Sequence, residues 1–431
     1  MLKKTFYIFL LIISIKSYGQ RSNSSPYSFF GIGQQYSSQS AEQASMGGVG
    51  VAFSNIYHLN FINPASFSNL RFATYSVGMR VNDLTVKDFS GSQKSTSTSL
   101  SYINIGFPVS KNSGVAFGLR PNTSVGYSLL NIVNDSNGDA FESTRSYGSG
   151  GTSTIYGAFG ISVFKDFNVG LEAEYVFGKT ENNVLSQRAG VHLATKNHEK
   201  VTIKGAGLKV GILYKKEFSN KIQMNLGASF KLESDLTTTG TEHLYSLSVE
   251  SSGIEVSRDT LHSTSIAGKL KIPLKSIFGI GFGKENKWYA ALDYEFQNPI
   301  NVQNTLLASS SAYAYGTSNR LSIGGFYLPK VNSISSYWHR VTYRAGVRFE
   351  DTGLLINTSS SGGFTKVNDF GISFGLGLPL RSTSNLNLGV EYGKKGTTMN
   401  NLIQENYFNF KLSLSLNAVG NLAWFQKRKI D

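Results

Sequence analysis

From about Arg71 onward, apolar and polar residues alternate with a period of two, the mark of strands with one greasy and one wet face. Phe167, Val169, Leu171, Ala173, Tyr175 and Phe177 are separated by Asn168, Gly170, Glu172 and Glu174. The same pattern runs through Trp288, Ala290, Leu292, Tyr294 and Phe296, through Val341, Tyr343, Ala345, Val347 and Phe349, and through Phe408, Phe410, Leu412, Leu414 and Leu416. It predicts fourteen strands, near 71–82, 95–109, 113–132, 139–164, 167–180, 199–216, 221–237, 258–283, 286–304, 316–330, 336–350, 363–380, 385–396 and 402–417. Most exceed the roughly 5–6 residues of a soluble strand and suit a tilted crossing of ~9–11 residues with an extension beyond the membrane.

A soluble β-sandwich and a membrane barrel both use such strands. The connections separate them. Those after even-numbered strands are short, near 111, 165, 218, 284 and 382 and somewhat longer near Val331, whereas 83–94, 181–198, 238–257 and 351–362 read as long polar loops. A barrel has this rhythm, with the short side periplasmic, and a sandwich has no reason for it. Tyr175, Phe177, Trp288, Tyr289 and Trp338 fit interfacial girdles. The expected fold is all-β, a 14-stranded antiparallel transmembrane β-barrel over residues 71–417 in the bacterial outer membrane. The alternation then turns Glu172, Glu174, Asp293, Glu295, Arg344, Arg348, Glu391 and Lys411 inward as a luminal charge network. Burying such charges unpaired is very costly, so they are expected to pair with one another or with chain inside the barrel. A polar gate along the path of an amphipathic substrate is the sharper alternative.

Composition supports a surface not covered by charge. Among 431 residues there are 45 Gly, 22 Tyr and 29 Phe, and only 16% are charged. Cysteine is absent, which excludes disulfides, thiolate metal sites and a lipidated cysteine. MLKKTFYIFLLIISIKSYGQ has the basic start, short apolar run and small residues of a signal peptide, expected over residues 1–19. No later run approaches 18 apolar residues. The net charge of +14 is spread over scattered Lys and Arg, which fits contact with outer-membrane lipid headgroups and no nucleic-acid partner. The six histidines are dispersed, with only the loose pair His192 and His198, and no G-x-S-x-G elbow occurs, so no enzyme, metal or cofactor is expected.

Residues 20–70 precede the first strand and include SMGGVGVAFSNIYHLNFINPASFSNL. A phosphate cradle at Gly47, Gly48 and Gly50 needs a strand before it and a helix after it, and neither flank is expected here, with Pro64 read as ending rather than opening a helix. The glycines are instead expected to pack and turn a plug folded back into a wide lumen. A short basic tail, 418–431, carries Trp424 and Phe425.

That run, with Asn63, Pro64 and Ala65, is similar to the N-terminal hatch of the FadL/OMPP1 outer-membrane transport family. SPYSFFGIG, YGSGGTSTIYGAFGISVFKDFNVGLEAEYVFG, YRAGVRFEDTGL, FGLGLPL and ENYFNFKLSLSLN resemble its Bacteroidota branch. The resemblance implies a plugged barrel that passes hydrophobic small molecules, such as long-chain fatty acids, sideways into the membrane through a break in the third strand. Pro121, Asn122 and Gly126 mark such an opening here, since proline removes a ladder donor. Some barrels resembling this family instead serve, without transporting, as subunits of type 9 secretion or outer-membrane assembly machinery. On that reading the partners are other outer-membrane proteins, and 238–257 is a docking surface or strand extension.

Overall fold

The computed structural model describes residues 23–89, 91–250, 254–303, 312–357, 363–380 and 384–418. The expected leader and almost all of the basic tail lie outside them.

The strands are β1 Ala73–Lys87, β2 Ser92–Ser110, β3 Ser113–Asn134, β4 Ala140–Phe164, β5 Phe167–Arg188 and β6 Ala194–Glu217. Four interrupted strands follow: β7 Ile222–Lys231 with Ser234–Val249, β8 Glu255–Ile272 with Lys275–Lys284, β9 Trp288–Gln297 with Asn301–Gln303, and β10 Tyr313–Tyr315 with Ser318–Tyr327. The last four are β11 Thr342–Asn357, β12 Phe364–Pro379, β13 Asn385–Gly396 and β14 Gln404–Ala418. Pro273 and Pro299 fall in two of the interruptions, where a missing N–H ends the ladder. Each strand pairs antiparallel with its sequence neighbours, and β14 pairs with β1 from Gln404↔Lys87 to Ala418↔Ala73, so the fourteen-stranded wall closes on itself.

Closure lets backbone cross hydrocarbon, because in a closed ring no strand is left as a terminal edge strand. The outward face carries half-exposed apolar side chains around the ring, among them Val77, Phe117, Phe159, Leu171, Leu226, Phe278, Leu292, Ile323, Phe374, Val390 and Phe410. Alternate inward positions are buried and polar, including Ser76, Thr154, Asn168, Ser229, Ser322, Ser373 and Asn387. The short connections 111–112, 165–166 and 285–287 lie at one end.

The other end differs from the expectation of long loops. Residues 83–87, 92–94, 181–188, 194–198, 238–249, 255–257 and 351–357 are strand, so the hairpins project as sheet and turn only at their tips. Outside the hydrocarbon a strand no longer needs an apolar face, and the period-two signal fades while pairing continues. Within the 238–257 region, 238–249 and 255–257 are therefore strand extension, with Leu247 buried, and 251–253 lie outside the described residues. At the short-turn end β11 starts at Thr342 rather than 336, because Trp338–Arg340 forms a 3₁₀ turn. Tyr289 is also not a girdle residue: it points inward, its ring 5.1 Å from that of Phe53, whereas Tyr175 and Phe177 face outward and stack at 6.3 Å.

A cation in mid-band tests this orientation. Leu292→Arg should destabilise the barrel in bilayers by roughly 2–4 kcal/mol, read from urea midpoints of heat-modifiable gel migration. An unchanged midpoint would contradict the lipid-facing assignment.

Candidate functional site

The site is assembled from the residues before β1 and the inward face of the wall. Ala41–Ala44 forms a single helical turn closed by a capping box, with Ser40 and Gln43 each bonding the other's backbone N–H. Gly47 and Gly48 follow with φ of +69° and +91°, a region that favours glycine. Pro64 opens a 3₁₀ helix, Pro64–Asn69, contrary to the expectation that it ends one. Its missing N–H costs nothing at the first helical position, and Asn63 caps the turn by accepting from Ala65 N at 3.0 Å.

This segment leaves the glycine amides no room for a phosphate. Gly47 N donates to Ser373 Oγ at 2.8 Å, and Gly50 N and Val51 N donate to Asp293 Oδ2 at 2.7 and 2.9 Å. Asn63 Nδ2 reaches Val51 O at 2.7 Å and Ile212 O at 2.9 Å, tying the segment to itself and to β6. Ala65 is fully buried. The wall presents glycine where backbone meets backbone: a Cβ on Gly346 would lie 2.1 Å from Met46 C, and one on Gly227 would lie 2.2 Å from Val51 O. Apolar residues of the segment supply the core, with Leu59, Phe61, Phe67 and Leu70 packed on Tyr102, Ala116, Tyr156 and Ala158.

The eight predicted inward charges fall into separate groups. Glu172 and Glu174 bind Arg120 of β3 at 2.5 and 3.4 Å, Lys209 Nζ lies 2.8 Å from Glu172, and Lys231 pairs with Glu174. Lys209 also donates to Phe61 O at 3.0 Å, so this group holds the N-terminal segment. Glu295 pairs with Arg320 and, at 2.5 Å, with Lys275, and Arg320 reaches Ser37 Oγ. Arg348 bridges Glu391 at 3.0 Å and Asp369 at 3.2 Å, and Lys411 meets Glu391 at 2.6 Å. Arg344 donates to Asn387 Oδ1 at 3.1 Å. Asp293 stands apart from these groups, its carboxylate bound by the two backbone amides. Sequence reasoning missed Arg120, Lys209, Lys231, Lys275, Arg320 and Asp369, although their parity on each strand is the same inward one.

Glu42, on the short helix, is also buried. It accepts from Asn387 Nδ2 at 2.7 Å and lies 3.3 Å from His58 Nδ1. Burial raises its carboxyl, but His58 and the Arg344 charge outweigh this and hold it at about 2, below its ordinary 4.5.

Between β2 and β3 the wall is not continuous. Their ladder runs from Ser110↔Ser113 only to Ile103↔Leu119, and β3 continues past it paired with β4, with a register shift between Pro121 and Thr123. The free side of β3 is taken by the N-terminal segment. Gln34 and Gln35 pair with Ser124 and Thr123, Tyr36 N donates to Asn122 O at 2.9 Å, and Gly126 N donates to Ser28 Oγ at 3.1 Å. Pro121, Asn122 and Gly126 thus lie where β3 leaves β2 and meets this substitute strand. A cavity of about 240 Å³ reaches both lips, touching Ser99–Tyr102 and Arg120–Pro121, and is lined with Arg80, Arg348, Glu391 and Lys411.

A closed wall with an apolar outside and a polar inside defines an integral outer-membrane β-barrel, and solved barrels share its architecture. A FadL homologue from Pseudomonas aeruginosa aligns over 89% of this chain and 98% of its own, with a TM-score of 0.58 and 13% identity. The toluene transporter TodX of P. putida aligns over 88% and 99%, with a TM-score of 0.58 and 17% identity. The toluene transporter TbuX of Ralstonia pickettii aligns over 88% and 98%, at 0.56 and 13%. At such identities the likeness is one of fold. Comparison with curated protein sequences finds no match. The BamG family model matches residues 1–431, and the chain belongs to the BamG family. The relationship is therefore closer to BamG than the expected OMPP1 resemblance implied.

Two outcomes are expected here. Asp293→Asn should speed hydrogen exchange at Gly50 and Val51 roughly ten- to a hundredfold, from loss of charge-assisted bonds worth about 1.5–3 kcal/mol. Because the Glu42 carboxyl is depressed, its stabilisation is complete above about pH 4.5 and disappears as pH falls towards 2. Proteolytic protection of the N-terminal segment should weaken over that window, and Glu42→Gln should flatten that part of the profile.

Proposed function

We propose that this protein is a sealed outer-membrane barrel that acts as a structural subunit of a larger outer-membrane assembly complex, with residues 20–70 as its fixed plug. The observation that carries the reading is how the N-terminal segment is held. Buried side-chain and backbone bonds fasten it to strands on opposite sides of the ring, at Asp293 and Ser373 and at Ile212 and Lys209. Glycine-to-backbone contacts at Gly227, Gly324 and Gly346 bring segment and wall together at several points of the ring. A conduit for greasy molecules needs a continuous apolar path, yet the cavity at the seam has the paired charges Glu295, Arg348, Glu391 and Lys411 in its lining, beside apolar Phe61, Leu84 and Leu412. Membership of the BamG family favours the same reading, in which other outer-membrane proteins are the partners.

The reading as a passive transporter of hydrophobic or amphipathic molecules with lateral exit rests on one feature, the interrupted β2–β3 seam with a cavity at its lips. The named hydrocarbon transporters of the same fold give it a substrate class. The charges lining this cavity weigh against a hydrocarbon path and leave it the second reading.

Purification of the tagged full-length protein from its own membranes in mild detergent separates the two. A stoichiometric complex with other outer-membrane proteins is expected. Recovery of a lone barrel, with fatty acid uptake lost on deletion and restored by wild type but not by Pro121 variants, would overturn the subunit reading in favour of transport.

A further inference from the structure

On the outside of the wall the apolar band is scooped out across β9, β10 and β11. Ala290, Gly325 and Ala345 face outward in register on β9, β10 and β11, with Ala290 opposite Gly325 and Gly325 opposite Ala345. Gly325 is fixed by the wall itself, since a Cβ there would lie 2.0 Å from Tyr289 O. Gly325 and Ala345 of this row lie in a groove of about 820 Å³ banked by Tyr327, Tyr343, Phe374, Leu376, Leu388 and Val390. That volume is within the ~300–1,000 Å³ of small-molecule sites, and the groove opens onto the membrane.

The short-turn end of the groove is marked by charge and aromatic rings. Tyr327 leads directly into Leu328–Val341, the one long connection at that end among the described residues, which contains Lys330, His339 and Arg340 and no acidic residue. Lys330 N donates to His339 O at 2.8 Å, which closes the connection at its base and sets the backbone of Lys330 beside that of His339 and Arg340. Tyr343, which lines the groove, donates to Trp338 O at 3.2 Å, and the Arg340 guanidinium lies 5.4 Å from the Tyr337 ring centroid. Tyr337 and Trp338 are exposed at this end, and aromatic side chains of this kind favour the headgroup region. Glu285 is the acidic residue of the neighbouring turn.

From these features we infer that the outer face of β9–β13 holds an anionic phospholipid of the short-turn leaflet, its acyl chains along the Ala290–Gly325–Ala345 row and its phosphate against Lys330, His339 and Arg340. Hydrocarbon-facing depth selects acyl chains, and a cationic rim without acid on its own loop selects a negative headgroup. The inference is independent of whether the barrel is a subunit or a transporter, because either one is surrounded by lipid.

Native mass spectrometry of the full-length barrel, exchanged from nanodiscs containing equal phosphatidylglycerol and phosphatidylcholine, tests it. Wild type should retain one phosphatidylglycerol. Ala345→Phe, an apolar exchange on the lipid face, should cut retention at least tenfold with heat-modifiable migration unchanged. Lys330→Gln with Arg340→Gln should keep a lipid but lose the headgroup preference. Retention unaffected by Ala345→Phe, or a preference unaffected by the double variant, would overturn the inference. So would equal retention of the two lipids by wild type, or a groove occupied in native extracts by a second barrel with no lipid bound.

Discussion

The constraint on which the rest depends is that no backbone amide or charge in contact with hydrocarbon can be left without a partner. The β14–β1 ladder satisfies it for the backbone by closing the ring. Closure turns every second side chain inward, and a ring of fourteen strands encloses more space than those side chains fill. The polar face therefore meets a second polypeptide surface, the N-terminal segment, whose own carbonyls and amides need partners as badly as the wall charges do. Lys209 serves both sides at once, binding Glu172 on the wall and Phe61 O on the segment.

This mutual dependence explains the chemistry of the interior. Charged pairs there are weak evidence for stability, since desolvation offsets most of their attraction, but removing one member leaves the other exposed to the full penalty. Arg348 has carboxylates at Glu350, Asp369 and Glu391 around it, an arrangement that fixes the relative positions of β11, β12 and β13. Asp293 shows another solution, a carboxylate whose Oδ2 accepts from two backbone amides of the segment. The wall's inward glycines belong to the same scheme, because the segment approaches backbone to backbone where any side chain would hold it off.

Much of this was legible in the chain. The alternation through Trp288–Phe296 and Phe408–Leu416 fixed strand identity and face, and the inward parity of Glu172, Glu295 and Glu391 followed from it. What stayed hidden was set by long-range contacts. The pairing of Glu172 with Arg120 joins residues 52 apart in sequence, and no local pattern ranks Arg120 as a partner. The hairpin extensions were misread as loops because period two reports a lipid boundary as much as a strand. Pro64 was misread because a proline at the first helical position and one after a helix end look alike until the Asn63 cap is seen.

The seam between β2 and β3 has a consequence for how the ring is braced. There Gln34 and Gln35 pair with β3, and elsewhere Met46 abuts the backbone of β10 and β11 at Gly324 and Gly346. The same segment therefore ties the free edge of β3 to strands on the far side of the ring, a rib set inside the hoop.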